Sequence, residues 1–158
     1  MYNYLPTNWL YTSAFSAASA KASPQMAADL ALASAQISND EAVRAKTLAL
    51  ELDNALLAVT QSRGILSPEE KQYVAQLRAL SNTAKRAAES VAPLAGEAIS
   101  AASRVLANPN EATAVAAYNA MEQVNMASGN AKKLADEISG VLGRPIKRPV
   151  KKKRPSPA

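Results

Sequence analysis

The residues in this chain that could do chemistry are carboxylates and amines, and their spacing gives them little to do together. Adjacent acids occur at Asp40-Glu41, Glu69-Glu70 and Asp136-Glu137. Paired carboxylates can share acid and base roles, but sequence neighbours on a helix point in different directions. The chain has no histidine and no cysteine. That removes the commonest general base, the thiolate nucleophile, disulfides and the usual transition-metal ligands. No Ser-His-Asp triad or HExxH zinc helix can be built, and the scattered glycines form neither a phosphate loop nor a dinucleotide turn. The expectation is a protein that is not an enzyme, with no catalytic residues, no cofactor, no metal and no small-molecule substrate.

Two other groups of residues carry a signal, one at each end. Five of the seven aromatics lie in the first 22 residues: Tyr2, Tyr4, Trp9, Tyr11 and Phe15. Their only charged companion there is Lys21. Large aromatic side chains hold much of the burial available to an alanine-rich chain, so this arm is expected to bind a partner subunit or to fold back on its own body. At the other end, Arg144, Lys147, Arg148, Lys151, Lys152, Lys153 and Arg154 form a basic tail without acids, interrupted by prolines. The prolines oppose helix and favour an extended, polyproline-like segment, expected to be disordered in isolation. Such a run can hold phosphates by charge alone, dock on an acidic protein surface, or act as a nuclear-localisation address. No aromatics interleave with it, so nucleic-acid contact would be to the backbone only.

Setting those seven residues aside leaves 11 of the 18 basic residues against 13 acidic ones, a body of about −2 inside a chain of net +5. The basicity is therefore a tail and not a face. No run of apolar residues is long enough to cross a membrane, and the N-terminus lacks the basic start and unbroken apolar stretch of a signal peptide.

Between the arms, residues 23–143 read as helix throughout. At 48% hydrophobic the chain can form a core, but much of that share is alanine, which favours helix and buries little surface. Three Ser/Asn-Pro starts, at Ser23-Pro24, Ser67-Pro68 and Asn108-Pro109, lie 44 and 41 residues apart. A serine or asparagine cap with proline in the first turn is a helix N-terminus signature.

The first helix is predicted to run to about Ile37, with Met26, Leu30, Ala33 and Ile37 inward, and to break at Ser38-Asn39. A central helix, Asp40 to Arg63, follows from a Ser38/Glu41 capping box to a Gly64 stop, with Leu48, Leu52, Ala55, Leu56 and Val59 inward. The next runs from Pro68 to about Val91 behind a Ser67/Glu70 capping box, with Tyr73, Leu77, Leu80, Ala84, Ala87 and Val91 as its seam. Pro93 ends or kinks it, and a shorter helix covers Leu94 to Ala107 with Ile99, Ala102 and Leu106 inward. A further helix reaches about Ala127, Ser128-Gly129-Asn130 closes it, and the last spans Ala131 to Leu142 before Gly143.

The expected fold is thus all-α: an irregular, mostly antiparallel bundle of five or six helices at 23–143, an aromatic arm at 1–22 and a basic tail at 144–158. In style and composition this resembles the small accessory or minor capsid proteins of large virus particles, although no motif carries the likeness. That resemblance implies a structural protein of the virion that bridges larger subunits. The basic, proline-containing tail is similar to those of linker histones and nucleoid proteins. That second likeness implies an architectural nucleic-acid-binding protein, in the nucleus or cytoplasm, but the acidic body departs from it.

Overall fold

A computed structural model describes residues 23–143 of the chain. Both arms, with all twelve of the partner-binding residues expected there, lie outside the described residues. Within them the protein is all-helical. Three long helices run up, down and up: α1 (Pro24–Arg63), α2 (Pro68–Ala107) and α3 (Glu111–Leu142). Each packs against both others.

The starts follow the predicted grammar. Ser23 Oγ accepts from the Met26 amide at 3.2 Å. Ser67 and Glu70 exchange bonds of 3.1 and 2.9 Å in a capping box. The third start differs: Asn108 closes α2, Pro109 precedes α3, and Asn110 is the cap, pairing with Thr113 in the same reciprocal way. Gly64 ends α1 at φ +74°, the left-handed conformation in which glycine escapes the steric penalty on a Cβ.

Three of the predicted breaks are not breaks. Each Ser/Asn-Pro signature opens one long helix, not a pair of helices. At Ser38-Asn39 the helix continues because Ser38 is an interhelix residue: it is fully buried, and its hydroxyl reaches the Val124 carbonyl of α3 at 3.5 Å. At Ser128-Gly129-Asn130 the buried stripe Met121, Val124, Ala131, Ala135 and Ile138 passes straight through. A helical glycine costs only about 1 kcal/mol, which packing on both sides offsets.

Pro93 lies inside α2 with the helix intact around it, because Val91 and Ala95 on either side are completely buried. Pro93 itself is exposed, so water can reach the Glu89 carbonyl that it leaves without an amide. Pro93→Ala restores that bond and is expected to stabilise the bundle by about 2–3 kcal/mol, read from urea unfolding followed by circular dichroism. A neutral or destabilising result would mean that the bundle requires the bend a proline imposes.

The core has two tiers. The larger cluster joins the first half of α1, the second half of α2 and the first half of α3. Fifteen of its twenty buried residues are alanine, so small side chains make up most of the packing there. The smaller cluster, towards Gly64, is built on Leu52, Leu56, Val74, Leu77 and Ile138.

The inward face of α1 before Ser38 is therefore not Met26, Ala33 and Ile37. It is Ala27, Ala28, Ala31, Ser34, Ala35 and Ser38, more than a third of a turn around. Met26 is 50% exposed and Ile37 40%, while Leu30 is only partly buried. Ile99 and Leu106 on α2 are likewise on the surface, whereas Ala102 is buried as expected. In the leucine tier the predicted faces agree with the structure at Leu52, Leu56, Leu77, Ala84 and Ile138.

Candidate functional site

At least one member of each acidic pair is engaged in holding helices. Arg44 of α1 bridges Glu41 at 2.7 Å and Asp136 of α3 at 2.8 Å, and Lys132 reaches Asp136 at 3.1 Å. Hydrogen bonds from Arg44 and then Lys132 hold the Asp136 carboxyl below its ordinary range, and the same pairing raises Arg44. Glu70 closes the α2 capping box and also pairs with Arg63. Asp40 accepts from Gln36 at 3.2 Å.

The densest polar cluster joins α1 to α2. Asp53 receives the Lys85 ammonium at 2.5 Å and lies 2.6 Å from the Ser81 hydroxyl, which is also 3.1 Å from the Ala49 carbonyl. Burial works against the charge on Asp53, but bonds from Lys85 and Ser81 and the nearby Arg78 outweigh it and leave the carboxyl below its usual range. A paired, depressed carboxylate beside a lysine is the chemistry of a clamp between helices. Among the described residues no three Asp, Glu, His or Cys side chains converge on a point that could hold a metal.

An open cleft of about 560 Å³ lies between the second half of α2 and the first half of α3. Glu97, Ser100, Arg104, Asn119 and Gln123 line it over an alanine floor. It offers one acid, one base and neutral hydrogen-bonding groups, without a nucleophile and its base in contact.

Among the described residues two hydroxyls are buried without a hydrogen-bond partner, those of Ser34 and Tyr118. Tyr118 is the largest fully buried side chain, and burial pushes its phenol up from the ordinary value. Tyr118→Phe keeps the ring and removes the orphaned group, so it is expected to raise stability by about 1 kcal/mol in chemical denaturation. A loss of stability would show that the hydroxyl has a bonding role.

The surface carries the feature that composition did not reveal. Ten large hydrophobic residues of the described body are exposed, among them Leu32, Val43, Leu50 and Leu57 of α1. Val43, Leu50 and Leu57 are spaced by sevens and Leu32 precedes Val43 by eleven, which sets all four on one face of the helix. The stripe is about 38 Å long at 1.5 Å per residue. The spacing was visible in the sequence. Only residues expected to turn inward are singled out by the periodicity, and Leu32, Val43, Leu50 and Leu57 are not among them.

Compared with models of known protein families, with curated proteins and with solved structures, the chain shows no significant similarity to any. No helix among the described residues is long and apolar enough to cross a membrane.

Proposed function

We propose that the chain is a non-enzymatic structural protein that ties larger subunits together within a large assembly, a minor capsid protein of a virus particle being the kind it fits best. The observation that carries this reading is the inversion of its hydrophobic residues. The bundle buries alanine and leaves ten large apolar side chains on its surface. A body of this kind spends little apolar area on itself and presents much of it to neighbours. Asp53, Glu70, Asp136, Arg44 and Lys85 of the body are occupied at a cap or in ion pairs between helices, which supports a scaffold in preference to a catalyst.

On this reading Tyr2, Tyr4, Trp9, Tyr11 and Phe15 anchor one contact, and the seven basic residues from Arg144 to Arg154 anchor another. The test is to isolate large particles from the cells that make the protein. The chain should sediment with them at fixed stoichiometry, and a version carrying Trp9→Ala and Tyr11→Ala should be lost from them. A chain that stays in the soluble fraction at every stage overturns the proposal.

The segregation of charge favours one other reading, an architectural protein that grips nucleic-acid backbone through the tail. It requires duplex binding that weakens steeply with salt, losing about one power of salt concentration per phosphate contact, and that disappears when residues 144–158 are removed. Binding that persists without the tail, or that salt leaves unchanged, counts against it.

A further inference from the structure

We infer that the exposed stripe on α1 is a self-association surface, on which a second copy of the chain packs antiparallel across a two-fold axis at Leu50. This goes beyond the assembly reading and does not rest on it, since neither arm takes part. Three of the stripe's four residues are symmetric about Leu50: Val43 and Leu57 lie seven residues to either side, so a two-fold there sets Val43 against the partner's Leu57 and leaves Leu32 outside the pairing. Both are more than half exposed in the single chain.

The charges beside the stripe fit the same axis. Lys46 and Asp53 also lie seven residues apart, on one flank of the stripe, with their midpoint next to Leu50. In an antiparallel pair each flank faces its own copy, so Lys46 comes to the partner's Asp53, and Asp53 to the partner's Lys46. Asp53 marks this flank as the one that borders α2, through its contacts with Ser81 and Lys85.

Those contacts also fix the level of α2 beside the axis, at Ser81–Lys85. Arg78 and Glu89 lie on either side of that level, eleven residues apart and therefore on one face. Both are exposed. The same two-fold brings Arg78 to the partner's Glu89. A single axis thus covers those three residues of the apolar stripe and matches opposite charges on two helices, which is the complementarity a specific interface needs.

The chain has no cysteine, so an introduced thiol reports one contact without background. In the full-length protein, Leu50→Cys should oxidise to a covalent dimer about tenfold faster or more than Val43→Cys or Leu57→Cys alone, because disulfide formation needs Cα atoms within about 7 Å. Two copies of the Val43→Cys site would sit about 21 Å apart along the axis at 1.5 Å per residue. An equimolar mixture of the Val43→Cys and Leu57→Cys chains should cross-link to each other.

Light scattering on the unmodified chain should give twice 16.6 kDa. Leu50→Glu should return the mass to that of one chain with its helical circular dichroism unchanged. A monomer at every concentration overturns the inference, as does Leu50→Cys cross-linking no faster than the other two positions. A dimer that survives Leu50→Glu but is lost on removing residues 1–22 overturns it in favour of the aromatic arm.

Discussion

Leu56→Ala should destabilise the bundle by about 3 kcal/mol and lower its melting temperature by roughly 10 °C, whereas Leu57→Ala beside it should cost under about 1 kcal/mol in the single chain, measured at concentrations too low for two copies to associate. Leu56 is 1% exposed and packs in the leucine tier, and Leu57 is 51% exposed. Truncating a buried leucine loses the transfer free energy of the removed carbons and leaves a cavity that rigid neighbours fill poorly. The tier has few members, Leu52, Val74, Leu77 and Ile138 being the other large ones, so no distant part of the core can absorb the loss. Against a total stability of about 5–15 kcal/mol for a typical domain, the change is a large fraction. Thermal melts of the two variants, compared with the parent chain, decide it. Equal losses at Leu56 and Leu57 would contradict the orientation of α1.

The opposite substitution should do the damage at the other end of the molecule. Ala98→Leu adds three carbons to a site that is 0% exposed, in a seam where Ala95, Ala101 and Ala102 are also buried. Most of the buried residues around that seam are alanine, with Val91, Val105, Tyr118, Met121 and Val124 as the larger members of the same cluster. Extra carbons cannot find a rotamer without pushing the backbones apart, and overpacking of this kind costs about 1–3 kcal/mol or more. We expect the upper end of that range, about 3 kcal/mol in urea denaturation, because the surrounding alanines have no side-chain torsions with which to yield. Ala92→Leu, on the exposed side of the same helix, is the control and should be close to neutral. Hydrophobicity alone would rank both changes as harmless. A neutral Ala98→Leu would mean that the alanine tier is loose.

The two variants express one asymmetry: carbon is missed where leucine is buried, and excess carbon is not tolerated where alanine is buried. The same asymmetry generates the surface. The alanine tier takes in five larger buried side chains, Val91, Val105, Tyr118, Met121 and Val124, while Leu32, Val43, Ile99 and Leu106 remain outside. The stripe on α1 and the close packing behind it are two faces of one arrangement.

By itself the sequence determined the helix starts and their chemistry, because capping is a local matter. Ser23, Ser67 with Glu70, and Asn110 satisfy free amides within four residues, and Gly64 supplies the left-handed stop. It determined the all-helical class of the described residues through alanine content and periodicity, and the expectation of two arms rests on composition alone. The leucine tier was legible too, since leucine at three- and four-residue steps marks a buried face when the helix is otherwise polar.

Only the tertiary structure decided where the helices fail to stop. Ser38, Pro93 and Gly129 are local breakers, and each is overridden by buried neighbours on both sides, contacts that come from residues far away in the chain. Only the tertiary structure decided which face of an alanine-rich helix turns inward. Alanine and leucine both bury favourably, and the choice rests on how near the next helix comes, a distance set by all three helices together.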